Sequence, residues 1–169
     1  MPSLGSLGLL LFPALMAFAA CSDLLTMRIS NRVVLLLVAI FCAVAVSINM
    51  PLEQFGLHVA CATAVLIVAF IFFALGWIGG GDAKLAAATT FWLGFGVTLP
   101  YLLDASLIGG LMTLMILMAR RWPLPNFLAR VRWIDRLHDS KSGIPYGIAL
   151  AIAGLLTYTD TSVFQRLTG

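Results

Sequence analysis

Two carboxylates hold the chemical interest of this chain. Asp23 stands in "CSDLLTMRISN" and Asp82 in "GWIGGGDAKLA", each beside a long apolar run. Two acids at one depth, on helices that touch, share a proton, leaving one protonated acid and one ionised base. Such a pair activates water and protonates the oxygen or the leaving amine of a peptide bond, with no covalent intermediate. Each acid also has a plainer reading. Asp82 suits the N-cap of a helix beginning at Ala83, where an acid is favoured, and Asp23 suits charge balance with Arg28. Ionisable groups at membrane depth are expensive, which weighs toward function. Gly79, Gly80 and Gly81 let a bound peptide approach closely and supply positive φ before Asp82. Gly76 and Gly80, like Gly143 and Gly147, also form small-xxx-small pairs suited to helix packing. No Ser/His/Asp arrangement, HExxH or phosphate loop competes.

The elements that must position these acids are membrane helices. Of 169 residues, 62% are hydrophobic and only 10% charged, too few charges to clothe a soluble domain. Cys21, Cys42 and Cys61 lie in or beside apolar spans and form no CxxC pair, so neither a zinc knuckle nor a disulfide framework is supported. A lone loop histidine, His138, gives no metal site; no metal, cofactor or nucleic-acid partner is expected. The first positive residue is Arg28, so the apolar N-terminus reads as a retained span, not a cleaved signal peptide. Six apolar segments approach the roughly 20 residues a helix needs to cross the hydrocarbon core. They run near 5–22, 33–50, 57–77, 83–101, 104–119 and 143–159, and no strand-like alternation competes. The expected fold is all-α: a single transmembrane domain over 1–169 with about six helices.

Charge sets the orientation. Eight of the ten Lys and Arg fall in the first and fifth connections and Lys84 adjoins the third, which leaves only Arg166 on the other side. By the positive-inside rule those connections are cytoplasmic and both termini face outward. Asp23 and Asp82 then lie near the same membrane face, whereas Asp104 falls in a connection on the opposite face. The 120–142 connection is the only long polar stretch. Phe127, Val131, Ile134 and Leu137 recur there at helical spacing among Arg130, Arg132 and Arg136. A short amphipathic helix on the anionic inner leaflet suits this composition; substrate capture by the same helix is the alternative. Lys84 either holds a carboxylate or substrate, or snorkels to the interface.

Three motifs carry a family resemblance. "GGGD" (79–82) fits the GxGD signature of intramembrane aspartyl proteases, and "GGGDAKLAAA" resembles the second-aspartate motif of type IV prepilin peptidases. "SDLLTMRISN" resembles that family's first-aspartate motif: Arg28, Ile29 and Asn31 fit, and Ser30 replaces the usual proline. "SGIPYGIAL" (142–150) resembles the G-x-P-Y-G motif opening the last helix, with Pro145, Tyr146 and Gly147. The chain lacks the cysteine-bearing cytoplasmic domain of the two-function enzymes and looks like the short form associated with tight-adherence (Flp) pili, so methyl transfer is not expected. The resemblance implies an inner-membrane enzyme that removes a basic leader from prepilins or pseudopilins on the cytoplasmic face. It assigns catalysis to Asp23 and Asp82, with Gly79 and Gly81 shaping the loop. Two other classes fit the same composition. A small proton- or cation-coupled transporter would use the acids as a relay, although no inverted repeat is visible and both acids lie near one face. A non-catalytic assembly subunit would leave a co-expressed pilin uncut. The oligomeric state stays open.

Overall fold

The computed structural model describes residues 4–168, with side chains from residue 8 onward. Helix α1 covers Leu4–Thr26, α2 Asn31–Ser47, α3 Leu52–Ala74, α4 Gly80–Leu93 and α5 Phe95–Ala119. Two short helices follow, α6 (Asn126–Ala129) and α7 (Arg132–His138), before α8 (Tyr146–Tyr158) and α9 (Ser162–Thr168). No strand occurs among the described residues. The protein is all-α and polytopic.

Helix α4 is the axis of the bundle. Every residue from Leu85 to Leu93 is buried, because α2, α3, α5 and α8 pack around it. Its run "AAATT" carries small side chains, which lets neighbouring backbones come close. Trp92 donates its indole N–H to the Leu37 carbonyl of α2 at 2.9 Å, and its ring packs on Phe12 of α1 and Phe41 of α2. The outward surfaces are apolar as well: Phe70, Leu107 and Leu111 are more than half exposed. On a water-soluble protein such a belt would be an aggregation hazard; in a bilayer it faces lipid.

Among the described residues three helices are long and apolar enough to cross a membrane: Gly8–Thr26, Leu52–Ala74 and Phe95–Ala119. The pair α8–α9, bent by 53°, makes a fourth if counted as one span. The expected count of six is therefore not supported. The shortfall comes from short helices: α2 has 17 residues, α8 has 13, and α4 has 14, about 21 Å, against a hydrocarbon core of about 30 Å. Glycines bound α4 at both ends. At its far end Gly94, with φ of +70°, turns the chain in a single residue, where a Cβ would lie 3.0 Å from the His58 ring. The break expected near 102–103 is thus at Gly94, and Pro100 lies inside α5. Asp104, expected in a connection, is likewise within α5. A short helix encased in protein keeps its backbone satisfied at membrane depth.

The start of α1, the start of α3 and the α8–α9 corner lie at one end of the bundle. The Tyr158 hydroxyl donates to the Gly8 carbonyl at 3.4 Å, and Gln54 reaches Ser162 at 3.1 Å. The connections after α1, after α3 and before α8 gather at the other end, around the two aspartates.

Candidate active site

The segment after Asp23 is built to turn sharply. Helix α1 closes on Met27, whose N–H donates to the Asp23 carbonyl at 2.7 Å while its φ is +54°, a left-handed conformation unusual for a side-chain-bearing residue. The Ser22 and Thr26 hydroxyls both donate to the Arg28 carbonyl, at 3.1 and 3.2 Å, and hold the turn. Ser30 then caps α2, its hydroxyl accepting from the Arg32 N–H at 3.2 Å. The departure from proline at position 30 therefore supplies a helix cap.

Asp82 occupies the third position of α4, whose N-cap is Gly79. Its carboxylate folds back toward that residue. A Cβ on Gly79 would lie 2.8 Å from Asp82 Oδ2. The helix-cap reading of Asp82 is corrected: α4 begins at Gly80 with Gly79 as its N-cap, so Asp82 lies inside the first turn, and the missing Cβ of Gly79 leaves room for its carboxylate. Asp23 is buried and accepts from the Gly147 N–H at 2.8 Å, in the first turn of α8. Each carboxylate therefore meets the positive end of a helix, α4 for Asp82 and α8 for Asp23.

Both acids line one cleft of about 310 Å³, together with Met27, Arg28, Ile29 and the three glycines 79–81. They are near enough for the charge of Asp23 to act on Asp82. Ile29 is the wedge between the loops. A Cβ on Gly81 would lie 3.2 Å from Ile29 Cβ, and one on Gly147 would lie 3.0 Å from Ile29 Cδ1. The three motif segments thus meet at a single side chain, although far apart in sequence.

The other expected site residues take separate parts. Lys84 touches neither carboxylate; its Nζ donates to Asn31 Oδ1 at 3.1 Å and ties the start of α4 to the start of α2. Pro145 is buried at the N-cap of α8. Tyr146 leaves the cleft, packing on Gly109 and sharing a 3.0 Å hydrogen bond with Thr113 of α5. Two arginines were not legible as site residues. Arg136 of α7 donates to the Leu25 carbonyl at 3.0 Å, beside Asp23, and Arg120 donates to the carbonyls of Leu137, Ser142 and Gly143. The 120–142 connection is therefore two short helices tied to the protein, with Trp122 and Phe127 left exposed for the membrane surface. A bond from a loop arginine to main-chain carbonyls leaves no sequence pattern to find.

The cleft brings two carboxyl groups together at the end of an apolar bundle. Glycines on one wall leave room for an extended peptide backbone. No curated protein and no solved structure matches the chain. A model of the type IV leader peptidase family matches residues 10–114, a stretch holding both aspartates, the triple glycine and the Lys84–Asn31 pair. With more than half of its length matched, the chain belongs to the type IV leader peptidase family.

Proposed function

We propose that this membrane peptidase is an aspartyl endopeptidase that removes the basic leader from prepilins of the tight-adherence type its sequence resembles. The observation carrying this reading is the pairing of Asp23 and Asp82 across one cleft. The ionised carboxylate takes a proton from water, whose oxygen attacks the scissile carbonyl carbon. The protonated carboxyl gives its proton to the carbonyl oxygen. As the tetrahedral intermediate collapses, the C–N bond breaks and the amine leaves with the proton first taken from water. As the carbonyl reforms, a hydroxyl of the intermediate returns its proton to the carboxylate that had given one, and the pair is again singly protonated. Gly79 and Gly81 keep the wall open, and Lys84 and Asn31 brace it.

Charge supports a cytoplasmic cleft in the inner membrane of a bacterium. Arg28, Arg32, Lys84, Arg120 and Arg136 belong to the segments at the cleft end, which the positive-inside rule assigns to the cytoplasm. A leader that stays in the cytoplasm meets the acids there.

Co-expression with a prepilin tests the reading. The wild type should shorten it, and Asp23→Asn or Asp82→Asn alone should abolish shortening at normal membrane abundance. Acid–base assistance supplies about 10²–10⁴ in rate. Members of one catalytic unit lose activity non-additively, so the double variant should be little worse than either single one. Asp104→Asn and Asp135→Asn, which line neither wall of the cleft, should stay active. Robust processing by either single variant of the pair would overturn the mechanism.

A further inference from the structure

Asp82 faces two spaces. One is the cleft shared with Asp23; the other is an apolar groove of about 460 Å³ that continues from Asp82 to Ala86 along α4. The groove lies between α3 and α5, with Asp82 and Ala86 of α4 as its floor and Tyr146 and Leu150 of α8 closing one side. These pairs are each four residues apart, one helical turn, so each helix turns a single face to the groove. Along α3 the lining runs from Ala64 to Phe72, about 12 Å or two turns.

We infer that this groove seats the first turns of the apolar helix of the protein substrate, with the scissile bond carried past Asp82 into the cleft. The inference deepens the peptidase reading and rests on it. Three features select this occupant. The groove sits among lipid-facing helices, so any chain in it must satisfy its own backbone, which means a helix. Its walls hold small residues on three helices, Ala64, Ala69, Ala86, Ala105 and Ser106, and close approach of another helix needs such residues. Its floor carries a carboxylate that also faces the cleft. A lipid acyl chain has no use for that group, whereas a peptide must pass it to be cut.

The polarity follows. From Asp82 the floor runs one turn deeper to Ala86, away from the cleft. The docked helix therefore starts at Asp82 and runs toward the far end of the bundle. Its N-terminal extension unwinds into the cleft between the two acids. Position along the groove then sets which bond is presented, counted from the start of the helix.

Photo-crosslinking tests this without depending on turnover. A benzophenone amino acid is placed at Val68 in the groove, or at Leu36 on the lipid-facing side of α2 as a control, in the Asp23→Asn background. Each is reconstituted with a purified prepilin bearing a basic leader and an apolar helix. An adduct should form at Val68, mapping to the first two turns of the prepilin helix, and not at Leu36. In the otherwise native enzyme, Ala64→Trp should raise KM about tenfold, equivalent to about 1.4 kcal/mol of lost binding, with kcat within about twofold. Leu36→Trp should change neither. Equal adducts at both positions, adducts with lipid alone, or adducts confined to the leader would overturn the groove while wild-type cleavage kept the peptidase reading. Absence of wild-type cleavage would overturn both.

Discussion

At Gly147 the missing side chain is the structural requirement. A Cβ there would lie 2.8 Å from Asp23 Oδ2, 3.0 Å from Asp23 Cβ and 3.0 Å from Ile29. Asp23 is buried and cannot swing into solvent, so alanine must push the carboxylate or the α8 backbone away. Gly147→Ala should therefore lower leader cleavage by about 10²-fold or more, the scale of a lost acid–base partner. Gly79→Ala crowds only the carboxylate tip of Asp82, a rotatable group, and should cost less than Gly147→Ala. Gly110 is the contrast. A Cβ on it meets nothing within 4 Å, and it sits inside α5. Gly110→Ala should leave cleavage unchanged and raise stability by up to about 1 kcal/mol, the helix-propensity gain. Cleavage rates at matched membrane abundance, with thermal midpoints in detergent, decide all three. At this scale much was legible. The two acids, the triple glycine and the Pro-Tyr-Gly segment stand out as glycine-flanked acids and a helix start. That Ile29 wedges between two glycines was not, because contact between distant loops leaves no mark on either one.

Elements reveal what the sequence pattern hides. Apolar runs identify helices, yet a run that continues through a turn does not say where the chain reverses. The reversal is at Gly94, whose φ of +70° turns the chain and where the His58 ring leaves no room for a Cβ; Pro100 is accommodated inside α5. The 120–142 connection was legible as basic and amphipathic, but its arginines divide into two groups only in space. Arg130 and Arg132 are exposed, while Arg120 and Arg136 hold main-chain carbonyls. Arg120 fixes Ser142 and Gly143, just ahead of the segment that presents the Gly147 N–H to Asp23. Hydrogen bonds from a charged donor contribute about 1.5–3 kcal/mol. If that loss reaches the site, Arg120→Gln should slow cleavage roughly tenfold or more. Arg120→Lys should recover little, because an ammonium lacks the guanidinium fork that serves several carbonyls. Arg130→Gln with Arg132→Gln should instead loosen contact with anionic vesicles and leave cleavage mostly intact. Flotation with vesicles and a cleavage assay on the same preparations separate the two effects. Equal loss of cleavage in both sets would show that the exposed arginines handle substrate.

For the whole molecule the decisive property is asymmetry of charge between two ends. The cleft end gathers the connections after α1, after α3 and before α8, while Gly8, Tyr158 and Ser162 meet at the other. Nine of the ten Lys and Arg belong to segments of the cleft end, and Arg166 alone to the opposite one. This asymmetry survives the failure of the simple span count. Helices α4 and α8, at 14 and 13 residues, are each shorter than the hydrocarbon core; α4 runs packed inside its neighbours, while α8 buries one face and leaves Ile152 and Leu156 exposed. The proposed orientation rests on the basic loops and not on how many helices qualify as full spans. A cysteine at Ser142 should be labelled by an impermeant thiol reagent only after the cytoplasmic side is opened. A cysteine at Ser162 should be labelled from outside intact cells, with the native Cys21, Cys42 and Cys61 replaced by serine or alanine. A reporter fused after Gly169 should be active only in its periplasmic form. A fusion active only in the cytoplasm would invert the molecule, turn the cleft away from any leader retained there, and remove the basis for leader cleavage on the cytoplasmic face.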